Sequence, residues 1–261
     1  MRDRLIFIGQ LGFTLLVAAF LVVPVILSLS AGVTVNYFRG ISSGVTLQWV
    51  MQVWDLYAGE ILLSFVIAIA TLAVTFVVGV PAAYALHVRG GKLSRVIEEI
   101  ITLPLAIPGL AIALALLLTY GGFGDFRRSW AFVLTGHVIF TMPFMVRSVM
   151  AVFGSIDIKT LDEGAASLGA SPWRRFGNVI VPNAMPGILA GSLMVVTLSL
   201  GEFNLTWMLH TPLTKTLPVG LADAYASMRL EVASAYTLIF FVMIVPLLVA
   251  MQMFADKGQK P

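Results

Sequence analysis

"LLSFVIAIATLAVTFVVGV", residues 62–80, carries no charged side chain and no regular alternation of apolar and polar positions. A membrane β-strand alternates lipid-facing and lumen-facing residues, so this run is not one. A helix satisfies its backbone N–H and C=O groups within its own segment, which the bilayer interior demands. At about 1.5 Å of rise per residue, roughly 20 residues cross the ~30 Å of hydrocarbon. The stretch therefore predicts a transmembrane helix.

Comparable runs lie outward from it in both directions, near residues 5–29, 60–86, 96–120, 131–153, 183–208 and 233–255. They predict an all-α membrane protein, a polytopic bundle of six transmembrane helices forming a single domain over residues 1–261. Composition agrees. The chain is 59% hydrophobic and only 11% charged, where soluble domains carry about 25% charged residues. Its 23 Gly and 12 Pro suit membrane helices, which tolerate both better than soluble ones do. With no Cys, disulfides, thiol catalysis and thiolate metal sites are excluded. The N-terminal run mimics a signal peptide with a basic start and "SLSAG". Its apolar part, Leu5 to Leu29, exceeds the roughly 7–15 residues of a signal core, so a retained first helix is expected.

Basic residues set the expected orientation. With a cytoplasmic N-terminus, the inner side holds Arg2, Arg4, Arg89, Lys92, Arg95, Lys159, Arg174, Arg175, Lys257 and Lys260. The outer side holds Arg39, Arg127, Arg128, Lys215 and Arg229. Arg147, late in the fourth run, snorkels inward. This excess predicts both termini inside. The net charge of +3 is small and its bearers are scattered, so the basic residues speak to topology and no nucleic-acid partner is expected.

Between the fourth and fifth runs, residues 154–182 form a cytoplasmic loop containing "EGAASLGASPWRRFGNVIVP", Glu163–Pro182. Ile158, Leu161, Ala165 and Leu168 fall at helical spacing and predict one apolar face. Asp157, Asp162 and Glu163 lie towards the helix start, where the dipole favours negative charge. Gly169 is the expected stop, being free to take positive φ. Ser171 and Pro172 then predict a second start, as N-cap and first helical residue. The pattern is helix, sharp turn, helix. It fits a connector packed on the membrane surface and equally a short helix docked in a partner's groove.

The residues "EGAASLG" followed by "VIVP" resemble the signature loop of ABC-importer permeases, Glu-Ala-Ala, three residues, Gly, nine residues, Ile-x-Leu-Pro. Glu163, Ala165, Gly169 and Pro182 match, while Gly164, Val179 and Val181 depart by small or apolar exchanges. With the six-run layout and "LGASPWRRF", the chain resembles most the spermidine/putrescine group, which also holds relatives of aminoethylphosphonate, iron(III) and thiamine importers. The resemblance implies a type I ABC importer permease fold in a bacterial inner membrane. It implies that residues 157–170 form a coupling helix gripped by an ATP-hydrolysing subunit. Asp157, Leu161, Glu163, Gly164, Ala165, Leu168, Gly169 and Pro182 are the expected coupling residues. The implied partners are two ATP-binding subunits holding ATP and Mg, a second permease that is a homologous but different chain, an extracytoplasmic solute-binding protein, and membrane lipid. The expected cargo is a polyamine such as spermidine or putrescine, or aminoethylphosphonate; iron(III), thiamine or an oxyanion are the alternatives.

No catalytic residues, metal site or cofactor are expected in the chain itself. A phosphate loop needs a Gly-rich turn ending in Gly-Lys-Ser/Thr; "RGGKLS" puts Leu93 where the hydroxyl belongs. His87, His137 and His210 sit in separate segments without paired-ligand spacing. Polar residues within spans are functional candidates by default. Glu202, Asn204 and Thr206 of "SLGEFNLTW" are therefore candidates for the substrate path. Glu202 and Thr206, four apart, are expected on one helical face, and Glu202 favours a cationic or zwitterionic amine. Its other reading is a polar pairing with a neighbouring helix, or a cap at a kink beside Gly201. Pro104 and Pro108 of "TLPLAIPG" predict a bend, serving as hinge or cavity wall. Gly187 and Gly191 of "GILAG" allow close helix approach. "MLHTPLTKTLPVGLADAYASM" predicts a partly helical outer cap, or a plain external loop. A secondary transporter driven by an ion gradient is the rival class. It predicts inverted repeats, and none relates residues 1–130 to 131–261.

Overall fold

The computed structural model describes residues 2–258; Lys260, counted above among the inner cations, lies outside the described residues. The helices follow the hydropathy runs. They are α1 (Arg2–Ala31), α2 (Gln48–Arg89), α3 (Gly91–Thr102), α4 (Gly109–Tyr120), α5 (Gly124–Arg128), α6 (Trp130–Phe153), α7 (Ile158–Ser167), α8 (Pro172–Arg175), α9 (Val181–Gly201), α10 (Asn204–Leu209), α11 (Leu217–Ala226) and α12 (Leu230–Gly258). Among the described residues five helical segments are long and apolar enough to cross a membrane, and six if the bent pair α3–α4 counts as one. The segment before α12 is partly helical, as α11.

Three runs differ from the sequence expectation. The second helix starts at Gln48 rather than near 60, because polar and aromatic residues 48–59 continue the helix past the apolar part. The third, expected as a continuous run over 96–120, is broken. Residues 91–105 and 109–120 meet at 105°, with Pro104 in a 3₁₀ turn and Pro108 as the N-cap of α4. Proline offers no N–H and its ring crowds the preceding turn, so two of them four residues apart end the α-helical ladder. The fifth, expected over 183–208, ends at Gly201 and restarts at Asn204.

The chain divides into two compact units. In the unit formed by Met1–Gly59 and Gly220–Val242, the loop after α1 is tied to the start of α12. A Glu231 carboxylate oxygen accepts the Tyr37 N–H at 2.8 Å. Arg229 donates to the Tyr57 hydroxyl at 2.9 Å. Gly32 packs so closely that a Cβ there would meet the Ser234 carbonyl at 2.7 Å.

The unit formed by Glu60–Val219 and Met243–Pro261 carries the candidate site. Its core is the α6–α9 contact. A Cβ on Gly187 would stand 2.6 Å from the Ser148 carbonyl oxygen, and one on Gly191 would stand 2.9 Å from Met145 Sδ. The two glycines thus bring the backbones together as "GILAG" predicted, which in lipid is where van der Waals packing is gained. Met145, Val149 and Phe153 of α6, Ala184 and Ile188 of α9, and Val80 and Ala83 of α2 are buried in one apolar cluster. Ile158, the first residue of α7, is fully buried in the same cluster.

Candidate functional site

The first feature is the segment between α6 and α9. Asp157 caps α7: its carboxylate accepts the Thr160 N–H at 3.2 Å and the Thr160 hydroxyl at 2.6 Å. These bonds hold its carboxyl below the usual carboxylate range. At the other end Gly169 has φ of +82°, and its N–H returns to the Ala166 carbonyl, the left-handed stop expected of it. Pro172 opens α8 as predicted. Ser171 stands before it in extended conformation but makes no side-chain cap bond, so its capping role is not borne out. From α8 the chain passes through a π-helical stretch, Phe176–Ile180, directly into α9. Pro182 is exposed in the first turn of α9.

The apolar face expected on α7 is only partly seated. Ile158 is buried and Ala165 half-buried, but Leu161 and Leu168 face outward, Leu168 being 88% exposed. Trp173 of α8 is 86% exposed. Glu163 and Gly164 are exposed as well, and a Cβ on Gly164 would meet nothing within 4 Å. Glu163 approaches Lys159 only at 3.9 Å with both side chains about two-thirds exposed, a pairing worth little.

What holds α7 down is a pair that sequence reasoning missed. Asp162 is buried, and its carboxylate accepts from Arg175 Nη1 at 2.9 Å. The ion pair is single-armed: Asp162 Oδ1 and Arg175 Nε are buried without a hydrogen-bond partner among the described residues. Two buried anchors, Ile158 and Asp162, thus fix a helix on which Leu161, Glu163 and Gly164 stand exposed. The i+13 spacing across a turn left no periodic signal for the pairing.

The second feature is the break in the fifth span. Glu202 and Thr206 do not share one continuous helical face, because the helix is interrupted between them. Glu202 lies in the break, extended and buried. Both of its oxygens accept the Leu205 N–H at 3.0 Å, and Oε2 also accepts the Thr206 N–H at 3.0 Å and the Thr206 hydroxyl at 3.2 Å. The carboxylate therefore caps α10. Of the two readings open from sequence, the cap beside Gly201 is the one seen. Asn204 is exposed and Thr206 fully buried.

His137 completes the cluster. It is buried in α6 between Ser199 Oγ, 2.8 Å from Nδ1, and Thr206 Oγ1, 2.7 Å from Nε2. The Thr206 hydroxyl donates its proton to Oε2. It then accepts from His137, which places the imidazole proton on Nε2 and leaves Nδ1 to accept from Ser199. The chain Ser199–His137–Thr206–Glu202 joins α9 and α10 across the break through one side chain of α6. The scattered spacing of the three histidines argues against paired metal ligands but does not reveal this role. A signal was available: an imidazole inside an apolar run needs polar partners, and Ser199 and Thr206 are among the few on offer.

The two breaks adjoin. A Cβ on Gly109, the first residue of α4, would lie 3.6 Å from Glu202 Oε1 and 3.9 Å from Asn204 Cβ. The Pro108 bend and the Glu202 cap thus bring the starts of two short helices, α4 and α10, side by side. Among the described residues no cluster of three or more metal-ligating side chains occurs.

Comparison with known proteins covers most of the chain. Residues 75–257 match the family described as binding-protein-dependent transport system inner membrane component. The provisionally named 2-aminoethylphosphonate transport system permease protein PhnV of Salmonella typhimurium is 27% identical over 234 residues, 89% of this chain and 84% of that one. The molybdenum transport system permease protein ModB of Azotobacter vinelandii is 27% identical over 213 residues, 76% of this chain and 93% of that one. Among solved structures, the bacterial alginate ABC transporter in complex with an alginate pentasaccharide-bound periplasmic protein contains a chain that superposes with a TM-score of 0.73. That chain is 16% identical, and the superposition covers 99% of this chain and 96% of that one, a likeness of fold.

Proposed function

The chain belongs to the family of binding-protein-dependent transport system inner membrane components, with a type I ABC importer permease fold, and from that premise we propose how it works and what it carries. It is a transport subunit integral to the inner membrane. In our reading both termini are cytoplasmic, and the α7 segment is the handle by which a separate ATP-hydrolysing subunit moves the spans. The single observation that carries this is the half-seated helix. α7 is anchored through Ile158 and Asp162, while Leu161, Glu163, Gly164 and Leu168 stand unpacked on its other sides. Rigid attachment to α6 and α9 transmits displacement, and the free sides fit a groove.

In the full assembly two such ATP-binding subunits, each holding ATP and Mg, drive a pore of this chain and a homologous, different permease. An extracytoplasmic binding protein delivers the solute, and alternating access moves it inward. The cargo we propose is a small solute bearing a phosphonate or oxyanion group, 2-aminoethylphosphonate first and molybdate second. Support comes from the names of PhnV and ModB. The polyamine expectation came from the resemblance to the spermidine/putrescine group, with Glu202 as a further argument for a cationic or zwitterionic amine. As a helix cap with its oxygens engaged by N–H groups, that residue no longer argues for a cation.

Ligand-stimulated ATPase of the reconstituted complex, measured with its binding protein and each of 2-aminoethylphosphonate, molybdate and spermidine, tests the cargo. Stimulation by the phosphonate or the oxyanion is expected. Stimulation by spermidine alone would return the polyamine reading.

A further inference from the structure

The short helix α3 has no place in the coupling and path reading, yet its make-up is distinctive. In "GKLSRVIEEIIT" the apolar residues Leu93, Val96, Ile97, Ile100 and Ile101 fall within one arc, and Lys92, Arg95, Glu98, Glu99 and Thr102 on the other. Such a separation marks a helix lying between an apolar and an aqueous medium. Only one edge of the arc is used by the protein. Ser94 is buried and Ile101 packs against the α6–α9 cluster, while Leu93, Val96 and Ile100 remain 72%, 49% and 58% exposed.

Orientation agrees. α3 and α4 meet at 105°. Membrane-crossing helices tilt by about 20° on average, so if α4 crosses, α3 runs close to the plane of the bilayer. Gly90 and Gly91, with φ of +58° and +81°, allow the abrupt turn from α2 that such a course needs. The crook of the bend opens an apolar cleft of about 350 Å³ lined by Ile100, Leu103, Pro104, Ile107, Leu116 and Ile139 among others. Arg89 at the end of α2 and Lys92 and Arg95 in the first turns of α3 are exposed, complementary to lipid phosphates.

We propose that α3 lies flat in the lipid–water boundary on the side of the coupling segment, its Leu93–Val96–Ile100 stripe against acyl chains and Lys92 and Arg95 on anionic headgroups. Residues 109–120 are then the arm that enters the bilayer, and the part of the expected 96–120 run before the bend lies in its boundary. Because Ile101 packs in the cluster that also seats Ile158 of α7, the lipid-bound helix braces the base of the coupling segment.

The chain has no native Cys, so single cysteines placed at Lys92, Leu93, Arg95, Val96, Glu99 and Ile100 can carry spin labels. The full chain, co-purified with its transporter subunits, is studied in nanodiscs, where collision with oxygen and with a water-soluble nickel complex reports depth irrespective of side. A helical oscillation at constant shallow depth is expected, with the oxygen-to-nickel ratio severalfold higher at Leu93, Val96 and Ile100 than at Lys92, Arg95 and Glu99. A steady rise in depth from Lys92 to Ile100 would mean that α3 crosses. Protection of Leu93, Val96 and Ile100 from both reagents would mean that protein covers the stripe. Either result overturns the proposal. Replacing phosphatidylcholine by phosphatidylglycerol is expected to draw the labels at Leu93 and Ile100 deeper, and Lys92→Gln/Arg95→Gln to abolish that shift. An undiminished shift in the double variant would refute the headgroup contact.

Discussion

Removing the Asp162 carboxylate is expected to loosen the coupling helix without unfolding the protein. At 2.9 Å and an effective dielectric of about 20, two unit charges attract by about 6 kcal/mol. Desolvation of both groups offsets most of that, since the side chains are only 12% and 23% exposed. A hydrogen bond between charged groups nets about 1.5–3 kcal/mol. The pair is single-armed, and Arg175 is long enough to reach water once released, so about 2 kcal/mol is the expected loss for Asp162→Ala. That is about 30-fold in the ratio of docked to undocked α7, with Ile158 left as its only buried anchor. In proteoliposomes, basal ATP hydrolysis should persist, while stimulation by the loaded binding protein falls severalfold. The charge exchange Asp162→Arg/Arg175→Asp should recover part of it. Full coupling in Asp162→Ala, or an exchange variant no better than the single one, would refute the idea that this pair holds the helix.

Gly169→Leu forces a branched residue to φ of +82°, costing about 1–2 kcal/mol locally, and should uncouple ATP hydrolysis from uptake; normal coupling would remove the turn from the mechanism. Gly187→Val drives side-chain carbon into the Ser148 carbonyl and should lower the yield of folded protein, with a loss of about 2 kcal/mol or more read by thermal unfolding in detergent. His137→Leu removes both bridging bonds and is expected to cost about 1–3 kcal/mol, given about 0.6–1.7 per interhelical bond in membranes. Through its amide, His137→Gln should keep part of that stability, and equal melting of the two variants would deny the bridge. Because the Asp157 carboxyl is held below its ordinary value of 3.8, its contribution is present above that pH and is lost as pH falls through the depressed value. A spin label at Lys159→Cys should therefore gain mobility on acidification, and Asp157→Asn, which still caps but does not titrate, should flatten that response.

Much of the architecture was legible because its causes are local. Lipid admits only segments that close their own hydrogen bonds, so hydropathy alone located the spans. Proline's missing N–H marked the break after Leu105, and glycine's tolerance of positive φ marked the stop at residue 169. The family signature marked the segment between the fourth and fifth runs, which folds as the helix, turn and helix expected of it.

The polar interior was not legible in the same way. Asp162 meets Arg175 across 13 residues, and His137 meets Ser199 and Thr206 across 62 and 69. No periodicity in a linear chain encodes such partners, because they depend on which faces of separate helices come together. Glu202 shows the same limit in a smaller space: its spacing from Thr206 suggested a shared helical face, and the interruption at residues 202–203 turned it into a cap. Sequence by itself thus determined which runs are apolar enough to span and where the backbone bends or stops, since solvation and φ preference belong to single residues. Only the tertiary structure decided which buried polar groups satisfy one another, since a hydrogen bond needs two atoms about 3 Å apart and only the packing of distant helices brings them there.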